Sequence, residues 1–257
     1  MVTIKTAEDI VKLREGGARH AKIMQTLAAL IVPGKRLKEL NDSALKLIQE
    51  GGDLPSFLNY TPDGASRPYP AALCVSINDE IVHGIPNESD RAIAEGDIVS
   101  IDLGLTHQGL VTDMALTLPA GNVDEKGKEL IEATKKSLQL GIKAIRPGGH
   151  IGDIGFAISE FVKKTPFSLV EGLSGHGVGY AVHEDPYVPN KGKKGEGERL
   201  EPGMIIAIEP MLSMGSPKIT LAEDGYTYKT KDGSRSAHFE HTVLIGEKGP
   251  EILTAFR

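Results

Sequence analysis

The sequence predicts an α+β fold in which one curved, largely antiparallel sheet carries helices on a single face, built from a unit that occurs twice. Three observations carry this expectation. Helix, helix and strand patterns follow in the same order across roughly residues 1–120 and again across 121–257. Pro33-Gly34 with Leu37, Glu39 and Leu40 has the spacing of Pro147-Gly148 with Ile151, Asp153 and Ile154. Gly96-Asp97-Ile98-Val99-Ser100-Ile101-Asp102 matches Gly203-Met204-Ile205-Ile206-Ala207-Ile208-Glu209, each an apolar strand that ends in an acid. Short matches arise by chance between amphipathic strands, so the shared order of elements is what gives them weight. Two such halves most simply pool their strands in one layer under the helices, which leaves the other face open for a site.

Thr6 is placed to cap a helix whose apolar positions Ile10, Leu13, Gly17, Ala21, Met24, Leu27 and Ile31 recur every three or four residues, until Pro33-Gly34 stops it. A second helical pattern runs through Leu37, Leu40, Ala44 and Ile48 to Gly51-Gly52, and strand-like runs follow at Leu73 to Ile77, Ile98 to Leu103 and Leu110 to Leu118. In the second half, helices are expected from Asp124 to Ile145 and from Ile151 to Val162. Strands are expected near Met204 to Ile208, Tyr226 to Thr230 and His238 to Ile245.

With 257 residues, 40% hydrophobic and 25% charged, the chain lies in the range of one large globular domain or two small ones. The duplication is read as internal to a single catalytic domain spanning 1–257. A net charge of −6, with no basic cluster beyond Lys191 to Lys194, speaks against nucleic acid as a partner. Apolar stretches such as Leu27 to Val32 fall far short of a bilayer span, and no basic region followed by an apolar run opens the chain, so neither membrane nor secretion is expected. The lone Cys74 cannot form an internal disulfide, which fits a reducing cytoplasm.

The chemistry is carried by acids at strand ends. Burying Asp102 or Glu209 is costly without a compensating cation, and each half supplies a second acid, Asp113 before Met114-Ala115-Leu116 and Glu240 before His241-Thr242-Val243. No arginine or lysine lies close to Asp102 or Glu209 in sequence, whereas two divalent ions would neutralise four carboxylates alongside a neutral imidazole. The imidazole candidate is His176, set among glycines in Ser174-Gly175-His176-Gly177-Val178-Gly179. His183-Glu184 follows, and His83 is a third candidate. Plainer readings stand beside these. Asp102 could pair with a turn backbone, Asp113 and Glu240 could be ordinary edge residues, and His20, His107 and His150 read as surface or helix-end histidines. A phosphate cradle at the glycines lacks the P-loop lysine.

Taken together, Val82-His83-Gly84-Ile85-Pro86, Ile101-Asp102-Leu103-Gly104, Thr112-Asp113, Gly175-His176-Gly177-Val178-Gly179 with His183-Glu184, Ile208-Glu209-Pro210-Met211 and Phe239-Glu240-His241-Thr242 resemble the type I methionine aminopeptidases of the pita-bread fold, over nearly the whole chain. The resemblance implies a pseudo-two-fold unit and a site that binds two divalent ions, drawn from cobalt, manganese, iron(II), zinc or nickel. Asp113 and Glu240 would bridge the ions, Asp102 would complete one, and His176 with Glu209 the other. His83 and His183 would contact the substrate, Glu209 would carry a proton, and Tyr69, Cys74, Val182 and Tyr226, with Phe57 as a weaker candidate, would line the methionine pocket. The partners implied are nascent polypeptide N-termini, with ribosome association, for a monomer in the cytoplasm.

Two departures are visible. The loop Tyr60 to Pro70 is longer than the family's short turn before the pocket cysteine, and Tyr226 stands where some members carry tryptophan. The stretch from His183 to Glu209 leaves no room for the helical insertion of type II enzymes. An X-Pro peptidase of the same fold and a non-catalytic pita-bread binding module are the alternatives.

Overall fold

The computed structural model describes residues 2–62 and 64–256. The first half contains α1 (Ala7–Ala28), α2 (Leu37–Glu50), β1 (Leu54–Pro55), β2 (Leu73–Ile77), β3 (Glu80–Val82), β4 (Ile98–His107) and β5 (Leu110–Pro119). The second contains α3 (Glu125–Ala144), α4 (Ile151–Val162), β6 (Ser168–Leu169), β7 (Gly175–Gly177), β8 (Glu184–Val188), β9 (Ile205–Ile208), β10 (Met211–Ser213), β11 (Ile219–Leu221), β12 (Tyr228–Thr230), β13 (Ser236–His238), β14 (His241–Gly246) and β15 (Gly249–Ile252).

Thr6 and Asp9 form the capping box that starts α1: Thr6 Oγ1 accepts from the Asp9 amide and Asp9 Oδ2 accepts from the Thr6 amide, each at 3.1 Å. The helix ends at Ala28, earlier than the apolar periodicity predicts. Leu30 and Ile31 donate instead to Leu27 and Ala28, tightening the last turn, because Val32 precedes a proline and is steered away from helical dihedrals.

Every strand pairing among the described residues is antiparallel, but the expected single sheet is divided into four hydrogen-bonded groups. These are β1-β4-β2 with β5 on β4, β13-β10-β6, β11-β12-β3 and β15-β14-β9-β7-β8. The two halves pair directly where β12 meets β3, and they also meet along β5, β13 and β14. There the Glu240 amide donates to the Ala115 carbonyl at 2.8 Å, while two threonine hydroxyls replace ladder bonds. Thr242 Oγ1 accepts from the Asp113 amide and donates to the Asp113 carbonyl, both at 2.7 Å, and Thr117 Oγ1 treats the amide and carbonyl of His238 in the same way. A hydroxyl is donor and acceptor at once, so it satisfies both backbone groups where the strands do not pair directly.

Alternation along the strands sorts residues to two faces. Val99, Ile101 and Leu103 of β4 and Met114 and Leu116 of β5 pack under Met24, Leu27, Leu37, Leu40 and Ile48 of α1 and α2. Ile206 and Ile208 of β9 and Val243 and Ile245 of β14 pack under Leu130, Leu138, Ile142, Ile154 and Ile158 of α3 and α4. Each of these side chains withdrawn from water contributes roughly 1.5–3 kcal/mol. The residues between them, Asp102, Asp113 and Ala207 among them, belong to the opposite face.

His20 and His107 correct the surface reading. His20 faces inward from α1, fully buried, with Nδ1 2.9 Å from Thr112 Oγ1, because it lies on the helix face that packs against β5. His107 is buried at the end of β4, where Nδ1 meets Asp53 Oδ1 at 2.7 Å. His150 caps the start of α4.

Candidate metal centre

The same alternation brings the acids together. In the β4–β5 ladder Asp102 stands opposite Ala115 and Gly104 opposite Asp113, so Asp102 and Asp113 are diagonal neighbours on one face. Glu209 follows Ile205 and Ala207, which face away from the helices, and Glu240 enters β14 with the same parity as Thr242 and Leu244. His176 pairs with Ala207 on β7, beside the end of β9. Its neighbours must be glycine. A Cβ on Gly175 would lie 2.2 Å from the Ala207 carbonyl oxygen, and one on Gly177 would lie 2.1 Å from that of Asp185. The glycines therefore serve close strand approach, and the phosphate-cradle alternative loses its basis.

His176 Nδ1 lies 2.9 Å from the Gly177 carbonyl, which can only accept, so this nitrogen carries the hydrogen and Nε2 presents a lone pair. Nε2 faces Glu209 Oε1 at 3.5 Å, Asp113 Oδ2 at 3.9 Å and Glu240 Oε1 at 4.0 Å. Ligand atoms of Asp113, His176 and Glu240 all lie within 4.8 Å of one another. Asp102 Oδ1 and Glu240 Oε1 are buried without hydrogen-bond partners. Oxygen ligands, one imidazole lone pair and orphaned carboxylate oxygens fit divalent cations.

The electrostatics point the same way. Burial pushes Asp102 up to about 7, and burial together with neighbouring acids pushes Asp113 and Glu240 well above the ordinary carboxylate range. Glu209 is raised well above it by burial. Burial, reinforced by repulsion from His183, lowers His176 to about 3, so it is neutral and available as a ligand. Such a set of buried acids is stable in ionised form only around added positive charge.

A cavity of about 70 Å³ opens over the acids, with Asp102, Asp113, Glu209 and Glu240 in its lining. At roughly 10–15 Å³ per water-sized position it has room for a handful of small groups, shared between the space at the acids and its apolar part. Tyr69, Cys74, Val182, Tyr226 and Phe57 line its apolar part, and His83, His176 and His183 stand with the acids. Tyr69 and Tyr226 meet edge-on at 5.1 Å, and the Tyr69 hydroxyl donates to the Gly84 carbonyl at 2.9 Å. His83 holds a left-handed backbone, φ 60°, which a non-glycine residue adopts at a cost. Burial lowers His83 to about 4 and lowers His183 as well.

The model of metallopeptidase family M24 matches residues 11–247. The chain belongs to that family. It is 44% identical to a methionine aminopeptidase of Aquifex aeolicus, with 98% of each chain covered. A solved methionine aminopeptidase from Thermotoga maritima superposes with a TM-score of 0.94 at 42% identity, covering 100% of both chains. A prolidase from Pyrococcus furiosus shares the fold at a TM-score of 0.77 and 24% identity, with 99% of this chain and 66% of that chain covered. Likeness over its full length to methionine aminopeptidases, within M24, makes the chain a metallo-aminopeptidase of pita-bread fold, a hydrolase that works with divalent metal. Among the described residues no helix is long and apolar enough to cross a membrane.

Within this M24 site, sequence reasoning missed two side chains. The Tyr60 hydroxyl lies 2.8 Å from His183 Nδ1, and Tyr60 and Pro62 bring the long loop to the cavity wall. Arg67 fastens that loop by donating to Glu88 and to the Asp224 carbonyl, and Tyr226 donates back to the Arg67 carbonyl. Asp63, in the same loop, lies outside the described residues. The second is His238, whose Nε2 is 3.4 Å from Glu209 Oε2. An acidic motif two residues downstream was the only signal for it, and that signal pointed to Glu240.

Proposed function

We propose that the chain removes the N-terminal methionine from peptides and nascent chains whose second residue is small, using two divalent ions held by Asp102, Asp113, His176, Glu209 and Glu240. The observation that carries this reading is the convergence of those five side chains on one cavity whose other wall is apolar. Bound divalent ions supply Lewis acidity: they lower the pKa of water and polarise a carbonyl.

The protein's own groups do the rest. A Tyr60 hydroxyl donating to His183 Nδ1 leaves Nε2–H of His183 to hydrogen-bond the scissile carbonyl oxygen as it gains charge. His83, fixed by its left-handed backbone, holds the adjoining peptide group. Glu209 accepts the proton of the attacking water and passes it to the leaving amine. Tyr69, Cys74, Val182 and Tyr226 enclose an apolar, unbranched side chain, and a charged one would lose its hydration there without a partner. Nascent chains as substrate imply work in the cytoplasm, near the ribosome, and the chain is read as a monomer.

A peptide panel that varies positions one and two, with manganese, cobalt or iron(II) supplied in turn, tests the reading. Met-Ala-Ser and Met-Ser peptides are cut, and Met-Lys and Met-Glu peptides are cut poorly. Cleavage of an X-Pro peptide with Met-Ala-Ser untouched under every metal would replace it with the X-Pro alternative. No cleavage of either would favour a binding module.

A further inference from the structure

We infer that His238 is a positioning residue for the metal centre: its ring N–H steers the Glu209 carboxylate so that Oε1 stays aimed at the ligand cluster. The inference rests on the metal-site reading above. His238 is 1% exposed, and both of its ring nitrogens are buried without a hydrogen-bond partner. A buried polar atom left unpaired is destabilising, so a histidine serving only to fill space here would be disfavoured against an apolar side chain of similar volume.

Geometry supplies the function. His238 stands opposite Met211 in the β13–β10 ladder, two residues beyond Glu209, and its backbone is pinned on both sides by Thr117 Oγ1. Its Nε2 consequently faces Glu209 Oε2 at 3.4 Å, while Glu209 Oε1 faces His176 Nε2 at 3.5 Å. The two oxygens of one carboxylate are thus divided between two imidazoles with opposite roles. His176 Nε2 carries a lone pair, as its bond to the Gly177 carbonyl requires. With N–H at Nε2, His238 needs only a few tenths of an ångström to close a normal hydrogen bond, and site contacts of this kind are commonly long before ligands bind. The Asn190 side chain holds the other end of Glu209 by donating to its carbonyl at 3.0 Å. The carboxylate rotation is the freedom left for His238 to restrict.

The test is calorimetric titration of Mn²⁺ into chelator-treated wild type and three variants. His238→Phe keeps an aromatic ring without a donor and is expected to bind Mn²⁺ about 10–100-fold more weakly. His238→Gln places an amide N–H at the reach of Nε2 and retains affinity within about threefold. His238→Asn reaches only as far as Nδ1 and behaves like the phenylalanine variant. Thermal unfolding of the metal-free proteins controls for folding, and the phenylalanine variant is expected to be at least as stable as wild type. Wild-type Mn²⁺ affinity in His238→Phe, or a glutamine variant as weak as the phenylalanine one, overturns the inference. Wild-type protein that takes up no Mn²⁺ fails at the metal-site reading itself, and that failure is visible before any variant is made.

Discussion

Lys5 Nζ lies 2.6 Å from Glu184 Oε2 with the two side chains 1% and 9% exposed, and this pair fastens the N-terminal segment to the loop that presents Val182 and His183. Glu184 Oε1 accepts from the Ala181 amide at 2.9 Å and from the Tyr180 amide. Burial pushes the Glu184 carboxyl up, but hydrogen bonds from Lys5, Thr3 and Ala181 outweigh it and hold the group below its ordinary value. The result is a cross-link between sequence-distant segments beside the cavity.

Lys5→Met takes the cation from a partly buried Glu184 that keeps its bonds from Thr3, Ala181 and Tyr180, and losing a hydrogen bond to a charged group of this kind costs about 1.5–3 kcal/mol. Stability measured by urea denaturation should fall by that order. Peptide turnover should drop about tenfold through misplacement of His183, with metal content retained. Adding Glu184→Gln removes the stranded charge and should recover part of the stability. A Lys5→Met protein with wild-type stability would show that the pair fastens nothing.

Asp113→Ala and Glu240→Ala should each abolish activity and lower bound metal, because each would take a buried carboxylate out of the proposed ligand set. Metal analysis of the purified variants alongside peptide assays checks this. Wild-type turnover in either variant contradicts the ligand assignment.

His83→Ala and His183→Ala should lose turnover, on the order of 100-fold, while binding metal as the wild type does, since neither is placed as a ligand. Tyr60→Phe should show a smaller loss of the same kind, because it removes the hydroxyl at His183 Nδ1 and leaves the ring wall in place. Loss of metal from either histidine variant would mean that the roles are misassigned.

His20 gives a pH signature. Burial, with repulsion from His241, lowers it to about 3 in the folded protein, against 6.5 when exposed. Between those values the unfolded chain holds the proton and the folded one does not, so stability rises with pH, by at most about 1.4 kcal/mol per unit from this group. The contribution is complete above the unfolded value and is lost as pH falls towards the folded one. His20→Gln should flatten the dependence of metal-free stability over about pH 4.5 to 6.5 by one proton's worth. Parallel slopes for wild type and variant would remove His20 as the source.

Alternation and order were legible in the sequence. Val99, Ile101 and Leu103 alternating with Ser100 and Asp102 are enough to put Asp102 on the face away from the helices, because the side-chain period of a strand is two, whereas Met204 to Ile208 is apolar throughout and only its packing assigns Glu209 to that face. Thr6, the helix breaks at Pro-Gly and the glycines around His176 are likewise local signals with local causes. Their chemistry was enough to place acids and an imidazole in one site by type.

Tertiary structure alone decided which distant groups complete that site. Tyr60 meets His183, His238 meets Glu209 and Lys5 meets Glu184 across large sequence separations. At the junction of the halves, Thr117 and Thr242 replace backbone bonds and split the expected single sheet. The burial of His20 and His107, read as surface histidines, belongs to the same class. The physical reason is common to all of them. Periodicity and capping are set by neighbours within a few residues, which sequence displays directly. Partner choice depends on where curved strands bring side chains after packing, and an unpaired donor on His238 or an acid at Glu184 has no sequence signature until its neighbour across the fold is known.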